Sequence, residues 1–251
     1  MPVKLRRFGV ALSVAAFWLA VWSLGVYVAN QSLLMPLPYP WDVVETLGHL
    51  VGQTDFWSVV AQSLWRILSG FLMAVAVGAG LAVLTTRFAF LHALFSPVLS
   101  LIRAVPVASF IFLVYLWVQA DAMPSLIAFL MVVPLVWENL RQGILHTDQR
   151  LLEMARVFRM NRRTRLWRIH LPSVRPYLQA ALTTGFGFAW KSGIAAEVIC
   201  RPSNSIGDQI GAVKSGIPDN ETIFAWTAVV VVLSVVLEWL LRRLVRREVA
   251  E

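Results

Sequence analysis

Six ionisable side chains sit within long apolar runs of this chain: Arg66, Arg103, Glu138, Lys191, Glu197 and Glu238. A charge at bilayer depth costs at least about 2.5–3.5 kcal/mol unless it is paired or faces water, so each needs a partner or a task. The chemistry open to them is electrostatic: pairing between helices, or attraction of a solute. Lys191 and Glu197, in "AWKSGIAAEV" with Trp190, are six positions apart, about 600° around a helix, and so belong to different faces. A pathway-facing Lys191 would attract an anionic or polar solute, while Trp190 and Glu197 either join it as pathway lining or are buried in packing. Arg103 precedes "AVPVASF", where Pro106 must break or kink a helix and free backbone carbonyls; both are candidate pathway residues. Arg66 reads as a tether between helices, and Glu138 and Glu238 as partners of arginines. Covalent chemistry has no matching set. The four histidines are scattered without ligand spacing, and the lone Cys200 excludes an internal disulfide and a cysteine-rich metal centre.

A second constellation is basic. Between Arg141 and Arg175 nine arginines stand against two acids, Asp148 and Glu153. Two short helices fit this stretch, "DQRLLEMARVF" and "NRRTRLWRIHL", the second ended by Pro172. In the first, Leu151, Leu152, Ala155 and Phe158 recur at helical spacing as an apolar stripe, with Glu153 and Arg156 on another face. A loop that only oriented the protein would explain the arginines. It would not explain an ordered amphipathic helix.

The elements that carry these groups follow from composition. The 251 residues are 58% hydrophobic and 14% charged, against about 25% charged in a soluble globule. The apolar residues fall into about six runs near membrane-spanning length: 9–29, 59–85, 99–118, 123–141, 178–199 and 223–241. The first exceeds the 7–15 residues or so of a secretory core and reads as a retained helix. "MPLPYP" followed by "WDVVETLGHLVG" reads as an extended stretch and then a short interfacial helix. The net charge of +8 would suggest nucleic acid in a soluble protein. Here it lies between apolar runs, and 17 of the 22 basic residues fall on one side when the N-terminus is placed inside. The positive-inside rule then puts both termini and the arginine-rich segment in the cytoplasm. The expected architecture is all-α and polytopic, one transmembrane domain over 1–251, with no internal repeat and no separate soluble domain.

Glu153, Ala155 and Arg156, followed sixteen residues after Glu153 by "IHLP" (Ile169 to Pro172), resemble the E-A-A signature of binding-protein-dependent ABC importer permeases. Met154 replaces the first Ala, and Arg159 stands where that family has the Gly that permits a turn. The resemblance runs from about 63 to 243, through "SLWRILSGFLMAVAVGAGLAV", "SPVLSLIRAVPVASFIFLVYLW", "FGFAWKSGIAAEVI" and "FAWTAVVVVLSVVLE", and is similar to the nitrate/sulfonate/taurine-type branch. It implies a type I ABC importer permease fold with a core over 59–243 and a cytoplasmic coupling segment over 148–172. It further implies that Leu152, Glu153, Ala155, Arg156, Phe158, Arg159, Ile169, Leu171 and Pro172 couple to a separate ATP-binding subunit. A second permease copy, most simply identical, and an extracytoplasmic solute-binding protein complete the implied assembly, in a bacterial inner membrane. The sequence holds no Gly-x-x-x-x-Gly-Lys-Ser/Thr segment, so ATP belongs to the partner and the chain is expected to be non-catalytic and without its own cofactor. A stand-alone channel or secondary carrier is the alternative. It would leave the helical cytoplasmic segment unexplained. A membrane-embedded enzyme would need a cluster of catalytic residues that the sequence lacks.

Overall fold

The computed structural model describes residues 3–31, 36–211, 213–214 and 217–247. Its elements are α1 (Val3–Ala29), α2 (Pro40–Val51), α3 (Thr54–Arg87), α4 (Ala89–Ala104), α5 (Val107–Tyr115), α6 (Met123–Leu145), α7 (Gln149–Val157), α8 (Arg162–Arg165), α9 (Leu171–Cys200), α10 (Ile206–Ile210) and α11 (Asn220–Arg247). A 3-10 turn (Ala120–Ala122) precedes α6, and a π-helical turn (Leu166–His170) joins α8 to α9. The helical expectation holds. A two-residue hairpin, β1 (Val213–Lys214) with β2 (Ile217–Pro218), interrupts it in the last connection.

Among the described residues four helices are long and apolar enough to cross a membrane: α1, α3, α6 and α11. The third expected run, 99–118, divides between α4 and α5, bent by 107° at a break of a few residues. Pro106 is the cause, since it forces the preceding Val105 into extended backbone (φ −78°, ψ 131°). The helix is therefore broken where the sequence placed the break. The remaining helix, α9, has 30 residues but carries Arg175, Lys191 and Glu197 and falls outside the strongly apolar group.

The chain forms two compact units. One holds residues 1–58 and 209–231. Asn30 bridges its loop by accepting from Leu37 N–H (2.7 Å) and donating to the Leu37 carbonyl (3.1 Å). The α2 start is capped by Asp42, whose carboxylate accepts from Tyr39 N–H (3.0 Å). Phe56 stacks on Trp226 at 5.1 Å.

The other unit, residues 59–208 and 232–251, contains the functional candidates. Its core is α6 against α9, running antiparallel: Met123 and Ile127 join Ala196 and Cys200 at one end, while Gly143 lies under Tyr177 at the other. Small residues set how closely α3 approaches both. A Cβ on Gly70 would collide with the Ser125 backbone, and one on Gly193 would meet Ile67 at 2.6 Å. Trp137 is anchored at the same interface, its indole donating to Thr85 Oγ1 at 2.8 Å. These close contacts replace the hydrophobic drive that lipid removes between helices.

Candidate functional site

The arginine-rich segment folds as a helix, a tight turn and a second helix. Asp148 caps α7 by accepting from Arg150 N–H (2.8 Å), and Asn161 caps α8 by accepting from Thr164 N–H (2.7 Å). Between them Met160 N–H donates to the Ala155 carbonyl (2.9 Å) and Arg159 N–H to the Arg156 carbonyl (3.0 Å). That pair of bonds is the Schellman closure, which requires a left-handed residue at its centre. Arg159 supplies it, with φ 48°. The turn normally made with Gly is thus kept, with the strain carried by an arginine.

Within α7 the apolar residues divide. Ala155 is 2% exposed and Leu152 is half-buried, so these two face the protein. Leu151, Met154, Val157 and Phe158 face outward, Val157 and Phe158 at 79% and 71% exposure. The single stripe read from the sequence is therefore split. Its Leu151 and Phe158 join an outward face whose other members, Met154 and Val157, the sequence reading missed. Glu153, Arg156 and Arg159 are exposed beside that face.

The second half of the segment departs from expectation. Pro172 does not end a helix: α8, the π turn and α9 follow without a break. In the π turn Leu171 N–H reaches back to the Leu166 carbonyl, and the wider turn accommodates a residue that has no N–H to offer. Ile169 is buried there, while Leu171 and Pro172 are exposed. Burial first, then the neighbouring Arg165 charge, lowers the His170 pKa below the ordinary imidazole value.

At the opposite end of α9, Glu197 is wholly buried. Its Oε2 accepts from Ser63 Oγ (2.8 Å) and Gly207 N–H (3.2 Å), and Ser63 Oγ accepts from Ile206 N–H (2.9 Å). One turn further along α3, Arg66 donates to Asp121 (3.1 Å) and to the carbonyls of Ser203 (3.0 Å) and Asn204 (3.4 Å). Arg66 is thus the tether its position suggested, and Glu197 takes the buried option. Together Ser63, Arg66 and Glu197 strap residues 203–207 onto the helix ends. Asn204, held by those bonds, and the helix-ending Arg201, whose side chain donates to Asp208 at 3.1 Å, both adopt φ 50°.

The five pathway candidates do not converge. Trp190 is buried with its indole N–H unpartnered, Glu197 is buried in the strap, and Arg103 and Pro106 are exposed at the α4–α5 break. Lys191 is different. With Thr183, Thr184, Gly187 and Phe188 on α9 it lines an open cleft of about 250 Å³, completed by Glu238 and Arg242 of α11. Glu238 pairs with Arg242 at 3.3 Å, as the sequence suggested. Glu138 instead accepts from Gln142 (2.8 Å). Among the described residues no His, Cys, Asp or Glu cluster could hold a metal ion.

Comparison with known proteins places this geometry. Residues 73–249 match the family model described as binding-protein-dependent transport system inner membrane component. The chain is 26% identical over 250 residues to the taurine transport system permease protein TauC of Escherichia coli (strain K12), covering 96% of this chain and 89% of that protein. It is 25% identical over 205 residues to the nitrate import permease protein NrtB of Leptolyngbya laminosa, covering 78% and 72%. In fold it is similar to a chain from the crystal structure of an amino acid ABC transporter with histidines, with TM-score 0.65, 18% identity, and coverage of 85% of this chain and all of that one.

Proposed function

The chain belongs to the family of binding-protein-dependent transport system inner membrane components, and from that premise we propose that it forms the translocation pathway of an ATP-driven importer in a bacterial inner membrane. Its relatives fall in the taurine and nitrate branch that the sequence resembles. In this reading a separate ATP-binding subunit receives α7, and two copies of this chain pair across the pathway. An extracytoplasmic binding protein delivers a small anionic or polar solute. The termini and the 148–172 segment face the cytoplasm.

One observation carries the proposal: α7 shows an outward apolar face, Leu151, Met154, Val157 and Phe158, framed by Arg150, Glu153, Arg156 and Arg159. A nine-residue helix with such a face is marginal alone in water and reads as one half of a protein contact. Its anchor is Ala155, whose burial ties it to the body of the same unit, so force on the exposed face reaches α9 through the Schellman turn and α8. ATP hydrolysis belongs to the partner, and this chain contributes position and motion only.

The test is co-purification of the chain with an ATP-binding subunit, followed by ATP-driven uptake into proteoliposomes. Deletion of residues 151–158 should abolish both association and uptake while the protein still inserts. Uptake that proceeds without ATP or without an ATP-binding subunit would establish a channel or secondary carrier instead.

A further inference from the structure

Helix α2 has no part in the transport mechanism above, yet its residues sort into three sectors around the axis. Val43 is buried, and Leu47 and Leu50 beside it are half-buried against the protein. Asp42, Glu45 and His49 form a charged sector, with Glu45 and His49 exposed. Trp41, Val44, Gly48 and Val51 fall within about 80° of one another at 100° per residue. All four are exposed, Trp41 at 59% and Val44 at 67%. The three sector centres stand about 110–135° apart, so the helix meets three different surroundings. Two of them are protein and water. The third is set by depth. Trp57, in the first turn of α3, donates its indole N–H to the Val51 carbonyl at 3.2 Å, which fixes the end of α2 to that turn. Beside it Phe56 stacks on Trp226 of α11 (5.1 Å), and Phe224 of α11 meets Trp22 of α1 at 6.2 Å. Three helices apolar enough to cross a membrane, α1, α3 and α11, therefore bring their aromatic rings together at one level. Such a level marks a membrane–water boundary, and α2 is bonded to it.

We propose that α2 lies flat in the membrane surface and that its exposed apolar sector docks on a zwitterionic phospholipid leaflet. Trp41, Val44, Gly48 and Val51 enter the boundary between headgroups and acyl chains, while Glu45 and His49 stay in water. Lipid is the neighbour that the aromatic level guarantees at this depth, whereas a patch of Trp and Val left in water would be unstable toward any cover. The headgroup class follows from charge. Interfacial helices that seek anionic lipid carry Lys and Arg on the polar face, and α2 has neither. Its carboxylates, Asp42 and Glu45, repel anionic headgroups and tolerate zwitterionic ones. Gly48 leaves a bare notch in the middle of the sector, where an added Cβ would meet nothing within 4 Å.

The experiment uses the full chain in phosphatidylcholine nanodiscs, spin-labelled at one cysteine at a time. Cys200 is buried, and Cys200→Ala in the background removes the competing thiol. Val44→Cys, Gly48→Cys and Val51→Cys probe the apolar sector; Glu45→Cys and His49→Cys probe the charged one. All five positions but Val51 are more than lightly exposed turns of the helix surface, and none is in the core, so the labels leave folding intact. Collision with lipid-soluble oxygen relative to an aqueous nickel chelate should be several-fold higher at 44, 48 and 51 than at 45 and 49. In phosphatidylglycerol nanodiscs at low ionic strength the ratio at 44 and 51 should fall, and Glu45→Gln should restore part of it. Labels at 44, 48 and 51 as open to nickel as those at 45 and 49 would place the sector in water and overturn the inference. Labels hidden from both reagents would show a protein cover, a second copy of the chain included, and overturn it equally. A ratio that is the same in both lipids overturns the assignment to zwitterionic headgroups.

Discussion

Arg159 is the position where a single substitution reports most directly on the geometry of the arginine-rich segment. Its φ of 48° places an L-residue in the left-handed region, at a strain of about 1–2 kcal/mol. Glycine removes that strain but loses about 0.5–1 kcal/mol more backbone entropy on folding. Arg159→Gly should therefore stabilise the turn by about 0.5–1 kcal/mol. At 1.36 kcal/mol per factor of ten, that is about two- to fivefold in the local opening constant. Hydrogen exchange of the Arg159 and Met160 amides, which close the turn at 3.0 and 2.9 Å, reads that constant. Exchange at both should slow by that factor, with no change at Arg150 in the first turn of α7. Arg159→Val should act in the opposite direction, because a β-branched side chain is excluded from this region more strongly. If glycine leaves both amides unchanged or accelerates them while valine is tolerated, residue 159 is not left-handed and the argument for an intact turn is wrong.

Glu197→Ala should lower stability by about 2–4 kcal/mol, because Ser63 Oγ and Gly207 N–H lose their buried acceptor; thermal unfolding of the purified protein in detergent measures it. Gly70→Val should block the approach of α3 to α6, since even a Cβ collides with the Ser125 backbone, and folded yield after detergent extraction should collapse. Phe158→Ser should leave yield unchanged and unfolding free energy within about 0.5 kcal/mol of the parent, because the ring is exposed, yet cut ATPase association by at least about tenfold in pull-down. For His170, the folded state binds its proton less readily than the unfolded chain, so stability is retained above about pH 6.5 and declines as pH falls below it. Proteolytic sensitivity around α8, followed from pH 7.5 to 5, should rise in the parent and flatten in His170→Gln.

Much of this was legible in the residues because it depends on local rules. Helical phase alone separated Lys191 from Glu197, and the structure sends one to a cavity and the other to the interior. Pro106 marked a break, and the spacing from Glu153 to Ile169 marked a turn whose centre falls on Arg159. The illegible part depends on partners distant in sequence. Glu197 meets Ser63 across 134 positions, and no local pattern announces that pair. The division of the α7 stripe needed the packing of Ala155, since periodicity gives the angle between side chains and not which way the helix is rolled. Pro172 misled because its usual helix-ending effect assumes α geometry on its N-terminal side, and a π turn suspends that assumption.

The turn at Leu166–His170 has a further consequence for everything after it. Each residue of an α-helix advances the azimuth by about 100°, and a π turn accommodates about one residue more than its neighbours would. The azimuth of Lys191 relative to Arg162 is thus offset by about that angle from an uninterrupted rod. Those five residues clock the shaft: they set which compass bearing at the α8 end corresponds to the cleft further along α9.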